Sequence, residues 1–191
     1  MYPKLFIPGP THVRDEILQA QAAPMIGHRA PEYAALQAEV TPKLQRLLYT
    51  QQRVYLYTSS STGVMEGSVR QASTKRILNT ICGAFSKRWH QITVANGVPC
   101  DKVEVPMGQA ITPDIVDGAL GKGMTESCPY DAITIVMNET STGVMNPVWE
   151  IASLVREKYP DVLILVDAVS CMAGAKIEFD AWGLDVCLAG V

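Results

Sequence analysis

A short apolar run that ends in an acid constrains the fold of this chain more than any other feature. Residues 162–166 read Val-Leu-Ile-Leu-Val, and Asp167 follows directly. An uninterrupted apolar run of this length is typical of a strand buried on both faces of a parallel sheet. Ligands bind beyond the carboxyl ends of such strands, so Asp167 is expected at a functional edge. A local turn or helix cap is the alternative explanation for this aspartate.

Strand-like and helix-like segments alternate along the chain. The sequence predicts strands at residues 53–58, 76–82, 101–105, 131–137 and 162–166. Helices are expected at residues 31–48, 62–73, 86–95, 112–120 and 147–159, the first of them with one packed apolar face. The alternation predicts an α/β fold, a mostly parallel sheet flanked by helices in three layers. We further expect a surface loop at 118–130 and another buried strand at 186–191.

Composition argues against several classes of function. The 191 residues carry a net charge of −3, which leaves no basic field for nucleic acid. No apolar run approaches the roughly 20 residues that span a bilayer, and no secretion signal opens the chain. We therefore expect a cytoplasmic protein with no nucleic acid or membrane as partner. The spacing of the five cysteines and three histidines predicts neither a disulfide framework nor a metal site.

Two polar segments follow predicted strands at the same edge as Asp167. Residues 58–63 read Thr-Ser-Ser-Ser-Thr-Gly ahead of a helix, where amides, hydroxyls and the helix dipole favour an anion. A serine-rich turn with an N-capping hydroxyl is the alternative. Residues 138–144 read Asn-Glu-Thr-Ser-Thr-Gly-Val. Three polar loops at one edge favour a single site for a ligand with a phosphate and a protonatable nitrogen, a layout that pyridoxal phosphate has.

Five motifs in order resemble class V aminotransferases of the alanine-glyoxylate and serine-pyruvate type. They are Pro-Gly-Pro-Thr at 8–11, Ser-Ser-Ser-Thr-Gly-Val-Met-Glu-Gly at 59–67, Gly-Ala-Phe-Ser-Lys-Arg-Trp at 83–89, Asn-Glu-Thr-Ser-Thr-Gly-Val at 138–144 and Val-Asp-Ala-Val-Ser at 166–170. The resemblance implies the large domain of a fold type I pyridoxal-phosphate enzyme. Residues 1–15 would form an N-terminal arm and residues 16–191 the N-terminal portion of that domain, without the small C-terminal domain.

The resemblance also implies how the cofactor would be held. Ser60, Ser61 and Thr62 would bind its phosphate. Phe85 would stack on the pyridine ring, and Thr140 would reach the phenolic oxygen.

The remaining matches concern the ring nitrogen and the substrate. The resemblance implies that Asp167 pairs with the protonated nitrogen and that Val169 packs on the opposite ring face. A carboxylate there keeps the nitrogen charged, which lets the ring accept electrons. Gly9 and the His28-Arg29 pair are expected to contact the substrate, because an arginine fork suits carboxylate or phosphate. An exposed arginine is the alternative for that pair.

The reaction implied by the resemblance is transfer of an amino group from alanine or serine to a 2-oxo acid such as glyoxylate or pyruvate. A phosphoserine aminotransferase, a desulfurase-like lyase and a non-catalytic fragment are the alternatives. The Schiff-base lysine is expected just past Val191, so we expect no catalytic residue in this chain and no turnover by this chain alone. A homodimer with the site at the interface is also expected from the resemblance.

Overall fold

A five-stranded parallel sheet organises the protein. The computed structural model describes residues 3–190, and its strands are β1 (Ile77–Ile81), β2 (Cys100–Glu104), β3 (Ala132–Val136), β4 (Asn138–Glu139), β5 (Val144–Met145), β6 (Leu163–Asp167) and β7 (Val186–Leu188). The main sheet has the order β2-β1-β3-β6-β7, and all its pairs are parallel. Strands β4 and β5 form a separate antiparallel hairpin.

Helices cover both faces of this sheet. They are α1 (Asp15–Gln21), α2 (Pro31–Leu47), α3 (Ser61–Ala72), α4 (Ala84–Ala95), α5 (Pro113–Met124) and α6 (Val148–Lys158). Alternate strand residues point to opposite faces, so Leu165 packs in the cluster that includes α3 and α4 side chains. Ile164 and Val166 pack in the cluster that includes α5 and α6 side chains. The predicted three-layer α/β architecture is confirmed.

The strand order places the functional edge. The order in which strands are added to the sheet reverses between β1 and β3. Strand β2 lies on one side of β1, whereas β3, β6 and β7 follow one another on the other side. A crevice opens at such a switch point, beyond the carboxyl ends of the strands. The loops after β1, β3 and β6 therefore meet at one edge, and those after β3 and β6 are two of the three expected polar segments.

Two predicted elements are wrong. Residues 53–58 form no strand, and the side chains of Tyr55, Leu56 and Tyr57 are exposed. A strand needs a neighbour for its backbone groups, and no described strand pairs with this segment. The expected loop at 118–130 is partly helical, since α5 continues to Met124. Gly123 of α5 lies against the Tyr130 ring, where a Cβ atom would overlap the ring. This glycine therefore allows close packing within a helix.

The N-terminal part of the chain differs from expectation in its packing. Helix α2 begins and ends within one residue of the predicted bounds, but it has no buried residue. Tyr33 and Leu36, two members of its apolar face, are 41% and 48% exposed. The face is therefore present but uncovered within residues 3–190. Sequence analysis missed α1, whose signal is the acidic pair Asp15 and Glu16 in its first turn.

The predicted strand at 186–191 is shorter in the structure. Strand β7 ends at Leu188, and Val191 lies outside the described residues. None of the helices in the described part of the chain is both long and apolar enough to cross a membrane.

Candidate active site

A cavity of about 630 Å³ lies at the carboxyl edge of the sheet. The carboxyl ends of β3 and β6 form its floor through Val136 and Asp167, and the N-termini of α3 and α4 form two of its walls. The structure brings most of the predicted site residues into its lining, namely Gly9, Ser61, Thr62, Phe85, Thr140, Asp167 and Val169. Segments far apart in sequence thus converge on one site.

Three predicted site residues lie outside this lining. Ser60 is the N-cap of α3, and its hydroxyl accepts a hydrogen bond from the Gly63 amide at 3.4 Å. Ser60 is therefore the N-capping residue that the alternative explanation of this segment predicted. His28 and Arg29 are exposed residues ahead of α2 and do not contribute to the cavity. Their contact with a substrate stays a prediction.

Asp167 is the buried acid of the cavity. Its side chain lies at the end of β6 in a residue that is only 3% exposed. Burial, partly offset by the Val169 N–H and assisted by the charge of Glu139, raises the pKa of Asp167 to about 6. One oxygen, Oδ1, accepts the Val169 N–H at 2.8 Å, and the other has no protein donor among residues 3–190. A local turn thus explains the hydrogen bond that Oδ1 accepts, but it does not explain the position of Oδ2.

The part of the cavity lined by the N-terminus of α3 is suited to an anion. Ser61 and Thr62 are the first residues of α3, and their amides have no acceptor in the described part of the chain. Their hydroxyl side chains and the helix dipole favour negative charge at this point. The chain beyond β7 approaches closely here, because a Cβ atom at Gly190 would overlap the Ser61 hydroxyl.

An aromatic ring lines the same cavity as the acid and the anion site. Phe85 stands in the first turn of α4, is 46% exposed and lines the cavity. Its amide donates to Glu139 Oε1 at 3.1 Å. Val169 contributes apolar surface to the same cavity. A flat ring, a buried acid and an open helix N-terminus together suit a planar cationic heterocycle that carries a phosphate.

A second cavity, of about 460 Å³, does not offer comparable chemistry. It is lined in part by Arg53, Asp180 and Asp185. Both carboxylates already accept hydrogen bonds from the protein, Asp180 from Thr50 and Asp185 from the Ile164 amide. No buried charge there is left for a ligand, so we assign the candidate site to the larger cavity.

Comparison with known proteins agrees with this geometry. Residues 16–191 match the family model for aminotransferase class-V. The chain belongs to the class V aminotransferase family. It is 35% identical to an uncharacterized aminotransferase of Methanocaldococcus jannaschii over 97% of this chain and 47% of that protein. The chain spans about half the length of the curated relatives it matches.

Other similar proteins carry different names. A serine–glyoxylate aminotransferase of Hyphomicrobium methylovorum is 27% identical over 98% of this chain and 47% of its own length. A Synechococcus protein named soluble hydrogenase, small subunit, is 33% identical over 97% of this chain and 48% of its own length. The crystal structure of an alanine–glyoxylate aminotransferase from Nostoc matches with a TM-score of 0.87 and 27% identity, covering 95% of this chain and 47% of that one.

Several residues around the site of this class V aminotransferase chain were missed by sequence analysis. Arg88 is the only cationic side chain in the cavity lining among residues 3–190, and it lies one helical turn after Phe85. Asn138 and Ser170 also line the cavity. Glu139 accepts the Phe85 amide, does not line the cavity and is fully buried. These four residues all belong to the motifs described above, so membership in a motif was the available signal. The motifs do not show which side chains face the cavity.

Proposed function

We propose that this protein is a pyridoxal-phosphate-dependent aminotransferase that moves an amino group from alanine or serine to a 2-oxo acid such as glyoxylate or pyruvate. Membership in the class V aminotransferase family supports the reaction type. The names of the Hyphomicrobium and Nostoc proteins support glyoxylate as an acceptor and serine or alanine as a donor. The observation that carries the proposal is the buried Asp167 carboxylate: among residues 3–190, one of its oxygens has no donor, and the same cavity contains an N-terminus of α3 whose first amides have no acceptor.

The residues of the cavity fit both the phosphate and the ring nitrogen of this cofactor. Ser61 and Thr62 would hold its phosphate through amides and hydroxyls that have no acceptor among the described residues. Ser60 supports them as the N-cap of α3. Asp167 would pair with the protonated ring nitrogen and thereby gain the cationic partner that a buried carboxylate needs.

The remaining contacts would orient the ring. Phe85 would stack on one face and Val169 would pack on the other, while Thr140 would reach the phenolic oxygen. When bound, the cofactor supplies an electron sink for the substrate's α-carbon. Asp167 keeps the ring nitrogen protonated, and the apolar surfaces of Phe85 and Val169 exclude water from that charged contact.

No observation in the described residues favours a second function. A phosphoserine aminotransferase was suggested by the His28-Arg29 pair, which lies outside the cavity. A desulfurase-like lyase is disfavoured by resemblance, because those enzymes place a histidine where Phe85 stands. No lysine lines the cavity within residues 3–190, so we propose that the Schiff-base lysine is contributed from elsewhere in the intact protein.

We further propose that the enzyme acts as a cytoplasmic homodimer, with residues 1–15 as an arm and residues 16–191 within the large domain. The exposed apolar face of α2 supports an additional packing partner. Gly9, which reaches the cavity, supports a role of the arm near the substrate. The five cysteines are free thiols, which is consistent with a reducing compartment.

The proposal is tested with the full-length protein and pyridoxal phosphate. We expect retention of the cofactor through gel filtration, and borohydride reduction followed by peptide mapping should identify one modified lysine. Transfer of an amino group from alanine or serine to glyoxylate or pyruvate should then be measurable. A folded full-length protein that retains no cofactor would contradict the proposal.

A further inference from the structure

The N-terminus of α4 is already occupied by protein acceptors, unlike that of α3. The amides of its first three residues would otherwise attract an anion. The amide of Ala84 donates to Ser141 Oγ at 2.9 Å. Those of Phe85 and Ser86 donate to the two carboxylate oxygens of Glu139 at 3.1 and 2.9 Å. A ligand phosphate therefore finds no free amide at this helix end.

Glu139 makes a full set of hydrogen bonds in a buried place. Besides the two amides, Oε1 accepts the Ser141 hydroxyl at 2.7 Å and Oε2 accepts the Ser86 hydroxyl at 2.8 Å. The residue has no solvent exposure. A Cβ atom at Gly83 would overlap the Glu139 side chain, so the glycine at the helix start allows the carboxylate to reach the amides.

The backbone of Glu139 lies between two residues of the cavity lining. Its neighbours Asn138 and Thr140 both line the cavity. Asn138 is itself attached to the loop after β6, because its main-chain and side-chain oxygens each lie 2.9 Å from the Ser170 hydroxyl. The Glu139 side chain thus connects the helix that carries Phe85 to the hairpin that carries Thr140.

The charge of Glu139 is retained inside the protein. Burial raises the pKa of Glu139, but hydrogen bonds from Ser86, Ser141 and the Phe85 amide outweigh it, and the net shift is downward. The same charge contributes to the raised pKa of Asp167. Glu139 is therefore ionised at neutral pH, whereas the raised pKa of Asp167 leaves that carboxylate able to respond to a ligand.

We propose that Glu139 is a positioning residue: its carboxylate closes the N-terminus of α4 to anions, fixes Phe85 relative to Thr140, and leaves α3 as the helix end that takes the cofactor phosphate. This inference rests on the proposed function. Glu139 contacts neither ring nor substrate in this scheme. It acts by holding the N-terminus of α4 against the hairpin that carries Thr140 and by keeping a negative charge near Asp167.

The test compares Glu139→Gln with Glu157→Gln in the full-length protein, since Glu157 is an exposed glutamate of α6. Amide exchange is measured first, without cofactor. We expect exchange at Phe85 and Ser86 to be at least about tenfold faster in Glu139→Gln, because a strong acceptor is lost. The control variant should match the wild type. Equal protection in all three proteins would overturn the proposal.

Cofactor binding supplies a readout that a purely structural role would not change. Pyridoxal phosphate should bind Glu139→Gln about tenfold more weakly, and the pH midpoint of binding should move to lower pH, because a negative charge near Asp167 is removed. Weaker binding by the same factor at every pH would indicate a structural role alone and would contradict the proposal. Failure of the wild type to bind would refute the proposed function but would not affect the exchange result.

Inorganic phosphate tests the choice of helix end. In the wild type it should slow amide exchange at Ser61 and Thr62 and leave Phe85 unaffected. Protection of Phe85 by phosphate would overturn the proposal. If Glu139→Gln does not fold, Ser141→Ala replaces it: exchange at Ala84 should quicken while the pH midpoint of cofactor binding stays constant, and unchanged exchange at Ala84 counts against the proposal.

Discussion

The buried carboxylates of Asp167 and Glu139 lie close enough to interact. Their surroundings nevertheless shift their pKa values in opposite directions. Glu139 accepts hydrogen bonds on both oxygens, whereas Asp167 accepts one from the protein. Burial penalises both charges, so the number of donors decides which pKa is raised and which is lowered. At the scale of single residues, the site therefore combines a carboxylate with a lowered pKa and one with a raised pKa that has no cationic partner among residues 3–190.

The first prediction concerns the cofactor affinity of Asp167→Asn. Asparagine keeps the volume and can still accept the Val169 amide, but it removes the charge. We expect the dissociation constant for pyridoxal phosphate to rise by about 10- to 100-fold, the range for losing a charged hydrogen bond. Asp161→Asn, at an exposed position before β6, is the control. Equal affinities in a fluorescence titration would argue against the ring contact.

The second prediction concerns the stability of the same variant without cofactor. The folded pKa of Asp167, about 6, lies above the unfolded value. The folded state therefore binds the extra proton at position 167, and the contribution of Asp167 to the stability of the wild type falls as pH rises from about 4 through 6. Asp167→Asn lacks this group, so its free energy of unfolding relative to wild type should increase across that window by up to about 3 kcal/mol.

Urea denaturation at several pH values measures this difference. Shifts of groups that do not interact with Asp167 cancel between the two proteins, because only position 167 differs. A difference that does not change between about pH 4 and pH 7 would mean that the Asp167 pKa is not raised.

At the scale of elements, close packing decides where glycines are needed. Helix α5 contains Gly118, Gly121 and Gly123, which made its second half read as a loop. Gly123 is buried against the Tyr130 ring, whereas Gly118 is exposed and has open space around it. The same residue type is thus a packing requirement at one position and a propensity cost at the other.

The third prediction compares alanine at these two glycines. Gly123→Ala should lower the free energy of unfolding by about 1–3 kcal/mol, because the methyl group overlaps Tyr130. Gly118→Ala should raise it by up to about 1 kcal/mol, because alanine favours the helix. Urea denaturation of both variants measures the effect. The same sign for both would contradict the packing described for α5.

At the scale of the whole molecule, burial is unevenly distributed along the chain. The central strands β1 and β3 are buried at every position, and α6 buries four side chains on the sheet. Helix α2 is longer than α6 and buries none. Local opening costs little where few apolar contacts must be broken. Stability should therefore be lower in the N-terminal part.

The fourth prediction is a difference in amide exchange between α2 and α6 in the chain of residues 1–191. Amides in α2 should exchange about a hundredfold faster or more, since local opening free energies range from near zero to the global value. Helix α6 is the internal control. Equal protection of the two helices, measured by mass spectrometry, would show that α2 has a packed face after all.

The polar loops, the buried acid and the motif positions of the site could be predicted, because each depends on neighbours in sequence. The contact between Phe85 and Glu139 joins residues 54 positions apart and leaves no local pattern. Exposure was one of the two alternatives for the His28-Arg29 pair, and the sequence could not choose between them, since the choice depends on where α2 packs. The absent strand at 53–58 has the same cause, because a strand needs a partner from another segment.

The sequence by itself determined the alternation of strands and helices, the three-layer architecture and the gathering of polar loops at one sheet edge. These follow from periodicity and from the handedness of βαβ connections. Only the tertiary structure decided which helix N-terminus stays open, which carboxylate has its pKa lowered and which predicted residues line the cavity. Burial and hydrogen-bond partners arise from contacts between distant segments, so they exist only after the chain has folded.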